Sequence, residues 1–174
     1  MKTLKLFIIV IILLASIVRL QAQSPMKTLS KYTGDWKAEF IMWMDPTQPP
    51  MKEQLTVHRE TIMNGLFLTS HYTGFSMGMN YEGTSTIGYS MEKKKYVSSW
   101  IDNMNSGISY MEGKLSDDGK SIEFHGTEVD AVTGKDKPVR EVLTFVDDTH
   151  QKIEIFVTTD EKEVKTIEYN LAKQ

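Results

Sequence analysis

The sequence predicts an all-β domain: a single antiparallel up-and-down β-barrel of about ten strands, preceded by a short helical turn. Three observations carry this expectation. Short strand-like segments follow one another at spacings of roughly 8–12 residues, the rhythm of a sandwich or barrel. Each closes on its own turn chemistry, and almost none of the chain is left for helix. Every connection is short, so sequential strands should pair antiparallel, and only closure removes the two edges of such a meander.

Ser24 to Tyr32 reads as the helical turn, a lid or plug. Strand one runs from Gly34 to Met44, with Trp36, Ala38, Phe40, Met42 and Met44 on one face and Lys37, Glu39, Ile41 and Trp43 on the other. Pro46, Pro49 and Pro50 then break the sheet, because proline has no N–H to give a ladder. Strand two covers Gln54 to Ile62, and Asn64-Gly65 suits a two-residue hairpin. Strand three is Leu66 to Thr73, followed by a glycine- and methionine-rich loop, Gly74 to Asn80, and strand four, Glu82 to Tyr89. Glu92 to Lys94 turns the chain into strand five, Tyr96 to Asp102, and strand six is Ile108 to Leu115. Asp117-Asp118-Gly119 signals a hairpin into strand seven, Ser121 to Val129, and Thr133-Gly134-Lys135 another turn. Strands eight, nine and ten are Val139 to Phe145, Gln151 to Thr158 and Val164 to Leu171.

The first 22 residues read as a secretory signal peptide, leaving residues 23–174 as the barrel domain. Lys2 and Lys5 form a basic start, Leu6 to Val18 is apolar, and Ala22 is a small residue before the cleavage point. The alternative is a membrane anchor, but about thirteen residues span only about 20 Å of helix against a bilayer core of about 30 Å. A periplasmic or secreted location follows, with no stable membrane insertion after cleavage. Losing Lys2, Lys5 and Arg19 moves the net charge from −3 to −6. That mildly acidic balance argues against nucleic acid and anionic membranes as partners. The chain has no cysteine, which excludes thiol catalysis and zinc–thiolate sites and leaves the core alone to hold the fold. No N-x-S/T acceptor occurs, which fits bacterial export.

Candidate chemistry is sparse. Gly74-Phe75-Ser76-Met77-Gly78 matches G-x-S-x-G, with Asp147 or Asp148 and His150 as conceivable partners, but a nucleophile elbow needs a helix after the serine and none is predicted. His58, His71, His125 and His150 sit on separate strands with no metal-ligand spacing, so neither a metal nor a cofactor is expected. Met42-Trp43-Met44 and Met77-Gly78-Met79 pair thioethers on one face, which suits Cu(I) or, more plainly, the lining of an adaptable apolar cavity. Tyr96, Ser98, Trp100, Asp102 and Met104 share one face of strand five, and Val97, Ser99 and Ile101 form the rival inward face. Arg140 either pairs with Asp102 or Glu82 inside the barrel or makes a surface ion pair.

The segment YTGFSMGMNYEGTSTIGYSMEKKKYVSSWIDNMNSGI resembles the heart of the domain of unknown function 1579 family. The resemblance rests on Tyr72-Thr73-Gly74, Met77-Gly78, Tyr81-Glu82-Gly83, Gly88-Tyr89, Tyr96, Trp100, Asp102 and Met104. Gly34-Asp35-Trp36 matches the family's opening G-x-W, and Arg140, Glu141 and His150 match its later R-E-V and D-D-x-H stretches. The resemblance implies a lipocalin- or calycin-like barrel with no established activity. In lipocalins such a tryptophan plugs the barrel floor beneath a basic residue from the last strand, where this chain offers Lys165. The expected role is to bind a small, largely apolar molecule, through Trp36, Phe40, Met42, Tyr81, Tyr89, Trp100, Asp102, Met104 and Arg140. The alternatives are a small barrel enzyme centred on Asp102, Arg140 or His150, and an interaction module with a filled core.

Overall fold

The computed structural model describes residues 25–45, 47–129 and 134–174; the predicted signal peptide (residues 1–22), Ser24, Pro46 and Thr133 lie outside the described residues. Ten strands follow one another: β1 (Gly34–Met42), β2 (Met51–Ile62), β3 (Phe67–Ser76), β4 (Met79–Ser90), β5 (Lys95–Asp102), β6 (Ser109–Leu115), β7 (Ser121–Val129), β8 (Asp136–Phe145), β9 (His150–Thr159) and β10 (Lys162–Lys173). Each pairs antiparallel with its sequence neighbours, and β1 pairs with β10 to close the barrel. The closing seam runs in continuous register from Trp36↔Lys173 to Met42↔Ile167. Closure leaves no edge strand to template another chain.

Two-residue alternation decides what faces inward. On β1, Trp36, Ala38 and Phe40 are buried, and on β2 Leu55 and Val57 oppose them in register. On β5 the inward face is Tyr96, Ser98, Trp100 and Asp102, while Ile101 is half exposed on the outside. The structure therefore chooses between the two parities that the sequence leaves open.

Two turns differ from expectation. Gly74 to Asn80 is not a loop: β3 and β4 run on until Ser76 pairs with Met79, and only Met77-Gly78 connect them. Both residues have left-handed φ (51° and 81°), the geometry of a tight hairpin turn. Gly74 belongs to the strand because a Cβ there would lie 2.5 Å from the Leu55 side chain, so its glycine marks close packing. Conversely, Asn64-Gly65 does not form a two-residue turn. The last pair is Ile62↔Phe67, and Met63, Asn64 and Gly65 turn through three successive left-handed residues. β10 carries a bulge between Lys165 and Ile167, which shifts the side chains before it relative to those after it.

A helical turn over residues 25–30 plugs one end of the barrel. Met26 and Leu29 from this turn, and Tyr32 just after it, are fully buried. Tyr32 stacks on Phe145 at 5.1 Å, the Tyr96 hydroxyl donates to the Pro25 carbonyl, and Trp36 Nε1 donates to the Tyr32 carbonyl at 3.1 Å. Trp36 is completely buried beside this plug, with the Arg59 guanidinium 5.0 Å and the Lys173 ammonium 5.8 Å from its ring. The basic residue that the last strand lays over the tryptophan is thus Lys173; Lys165 instead lies over Trp43.

Large rings elsewhere are seated against glycines. A Cβ on Gly113 would come 2.6 Å from the Phe124 ring and 2.7 Å from the Glu123 carbonyl, both fixed by the sheet. Gly113→Ala is expected to cost about 1–3 kcal/mol, the usual penalty of overpacking a core. Gly107→Ala, where a Cβ meets nothing, should stay within about 0.5 kcal/mol. Urea unfolding of the pair checks this, and equal stabilities would refute it.

Candidate functional site

The interior is hollow. A cavity of about 410 Å³ runs from the helical plug, where Leu29 lines it, to the opposite mouth, where Met42, Met77 and Met104 line it. Its wall is uneven. Phe40, Tyr72, Tyr81, Trp100 and Tyr169 form one aromatic cluster, with Phe40–Tyr169 rings 5.0 Å apart, Tyr72–Trp100 5.2 Å and Tyr72–Tyr169 5.5 Å. Ser70, Ser85, Ser98 and Ser109 face the lumen from β3 to β6. Short side chains on that wall, beside large ones on the other, leave the space that a uniformly bulky core would fill.

Six of the nine residues singled out in the sequence border this cavity: Phe40, Met42, Tyr81, Trp100, Asp102 and Met104. Asp102 is engaged locally as well. Its Oδ2 accepts from Trp100 Nε1 at 2.7 Å and its Oδ1 from the Met104 and Asn105 amides at 2.9 Å, which fixes the indole and the start of the β5–β6 loop. The other three lie elsewhere. Trp36 belongs to the closed end, and Tyr89 packs edge-on against Tyr96 beside a shallow hollow at the plug. Arg140 is on the outer wall, where Nε and Nη2 grip Glu163 at 2.8 and 2.6 Å and the guanidinium lies 4.1 Å over Phe156. Its register partner His125 is exposed, whereas the next residue, Glu141, faces Phe124 in the core. Alternation excludes Arg140 from the lumen by one position, and its pairing is the surface ion pair.

Sequence reading missed the lumen's polar groups. Arg59 on β2 is 4 % exposed; its Nη1 donates to Gln151 Oε1, and its Nε has no partner. Glu141 on β8 lines the cavity; it is half-buried by surface area because it borders empty space, yet protein surrounds it on all sides. Burial raises its carboxyl to about 7. Burial likewise raises the phenols of Tyr72, Tyr81 and Tyr169, with Arg59 pulling Tyr72 partly back. Arg59, Glu141, Tyr72 and Tyr169, unlike Tyr81, were not singled out for the pocket but could have been found by extending strand parity. Arg59 is in phase with Leu55 and Val57, and Glu141 with Val139, Leu143 and Phe145.

The other constellations disperse. Ser76 ends β3 before a two-residue turn, with no helix beneath it, while Asp147 and Asp148 in the β8–β9 turn and His150 at the start of β9 lie at the opposite end. Asp102, Arg140 and His150 lie at the mouth, on the outer wall and beside that far turn, so they do not share a pocket. The histidines are exposed or half-buried with separate neighbours, His58 on Asp35 at 2.6 Å and His125 on Glu123 at 2.8 Å. Among the described residues, no group of three or more His, Cys, Asp or Glu side chains is placed to hold a metal.

A family model described as "Protein of unknown function (DUF1579)" matches residues 21–173. No curated protein matches the chain.

Proposed function

The chain belongs to the DUF1579 family, whose description supplies no activity, and we propose from the cavity itself that this is an exported carrier or sensor of a small, largely apolar molecule. The observation that supports it most is a hollow of about 410 Å³ walled by aromatic and methionine side chains with a few convergent polar groups. Small-molecule sites have this character, at volumes of about 300–1,000 Å³. A filled-core interaction module would not enclose such a space.

Export is supported by the basic, apolar and small-residue order of the first 22 residues. The experiment is direct. Protein from the periplasm or medium of its own host should begin near Gln23, and its organic extract should contain a copurified hydrophobic compound by mass spectrometry. After delipidation, an apolar fluorophore should bind one per chain and quench emission from Trp100, which borders the cavity. Trp100→Phe should remove most of that quenching, because Trp36 is sealed at the plug. An intact N-terminus in the cytosolic fraction would refute export. No saturable response to a panel of hydrophobes would refute binding.

A further inference from the structure

Arg59 places a permanent positive charge deep in the barrel. Arginine does not deprotonate in proteins, and a buried charge without a counter-charge is costly. Yet the hydrogen-bonding partners of Arg59 are neutral, the Gln151 amide and the Tyr72 phenol, and its Nε–H is buried with no acceptor. The Trp36 ring beneath it offers a cation–π face but no charge. Among the described residues the ion pairs all lie elsewhere. Glu141, one of the carboxyls that line the cavity, makes no ion pair with Arg59, and burial disfavours its charged form. The site therefore holds one unanswered cation at its closed end, with the Tyr72 ring on the same wall and an apolar path to the mouth.

Resting on the binding reading above, we propose that the guest is an amphiphile with a single carboxylate, its head at Arg59 and its apolar body running past Phe40, Trp100 and Met104 towards the mouth. A planar carboxylate matches the guanidinium fork and would accept the free Nε–H. One cation selects a monoanion, because a dianionic phosphate head would bury a second negative charge beside Glu141. The serine wall gives the head room without adding charge.

The test uses the full-length protein at neutral pH and three probes of one chain length: dodecanoate, dodecan-1-ol and dodecyl phosphate, each competing with a neutral apolar fluorophore. Dodecanoate is expected to bind at least about tenfold tighter than the alcohol, the worth of one charge-assisted hydrogen-bond pair. Arg59→Gln should bring the acid down to about the alcohol's affinity. Equal binding of acid and alcohol to the wild type would overturn the carboxylate assignment while leaving an apolar carrier standing. Tighter binding of the phosphate would overturn the monoanion assignment. Failure of all three to displace a fluorophore, or of the fluorophore to bind, would overturn this inference and the carrier reading together. Since Arg59 also packs on Trp36, the wild-type comparison is the deciding one and stands if Arg59→Gln fails to fold.

Discussion

Trp36→Ala is expected to lower the unfolding free energy by roughly 3–5 kcal/mol, the cost of emptying a sealed aromatic site. Trp36 has no exposed surface, and it is the meeting point of three parts of the chain. Its indole N–H satisfies the Tyr32 carbonyl that ends the plug, and its ring carries the Arg59 and Lys173 cations. Removing it leaves a cavity, an unpaired carbonyl and two cations without their aromatic face, and each of these adds to the transfer cost. Against a total stability of about 5–15 kcal/mol, a loss of that size should move the urea midpoint strongly and lower Tm by about 10 °C or more. Trp43→Ala serves as the control. Trp43 is only half-buried under the Lys165 ammonium, and its loss should cost about 1 kcal/mol. Equal effects from the two substitutions would refute the account of the closed end.

Glu141→Gln is expected to remove a pH dependence and not merely to shift stability. The folded carboxyl titrates at about 7 and the ordinary value is 4.5. Below the ordinary value both states hold the proton, and the folded protein carries no penalty. Between the two values the native state keeps a proton that the unfolded chain has released, so stability falls as pH rises. Above the folded value the loss is complete, at about 3 kcal/mol for a shift of this size. The other ionisable groups lining the lumen are Arg59, Tyr72, Tyr81, Asp102, Glu128 and Tyr169; the tyrosines stay neutral throughout this range because burial raises them further. Urea midpoints at pH 5 and pH 8 should therefore separate the two proteins far more at the higher pH, with the glutamine variant the more stable there. Parallel curves for variant and wild type would refute the assignment.

The architecture was legible because it depends on short-range signals. Alternating strands, turn residues and short connections each act over a few positions, and closure follows from the need to satisfy edges. The boundaries were less legible, for a stated reason. Gly74 and Gly78 look alike in sequence, but one accommodates the Leu55 side chain within a strand and the other makes a turn, and only the cross-strand neighbour separates them. Arg140 and Glu141 teach the same lesson in the candidate site. The dipeptide announces one charge inside and one outside, and parity with Val139 and Leu143 assigns the inner place to the glutamate. Asp102 was readable as both pocket residue and turn cap, and it is placed for both. The bond from Arg59 to Gln151 was not readable at all, since it joins residues 92 positions apart across the lumen.

The seam between β1 and β10 has a kinetic consequence. Every other strand pairing joins sequence neighbours, but this one must bring Trp36 to Lys173. The search for that encounter is the longest loop closure in the molecule, and non-local pairing of this kind slows folding. A nascent chain can assemble its hairpins as they emerge, but it stays an open ribbon until β10 arrives to zip the cylinder shut.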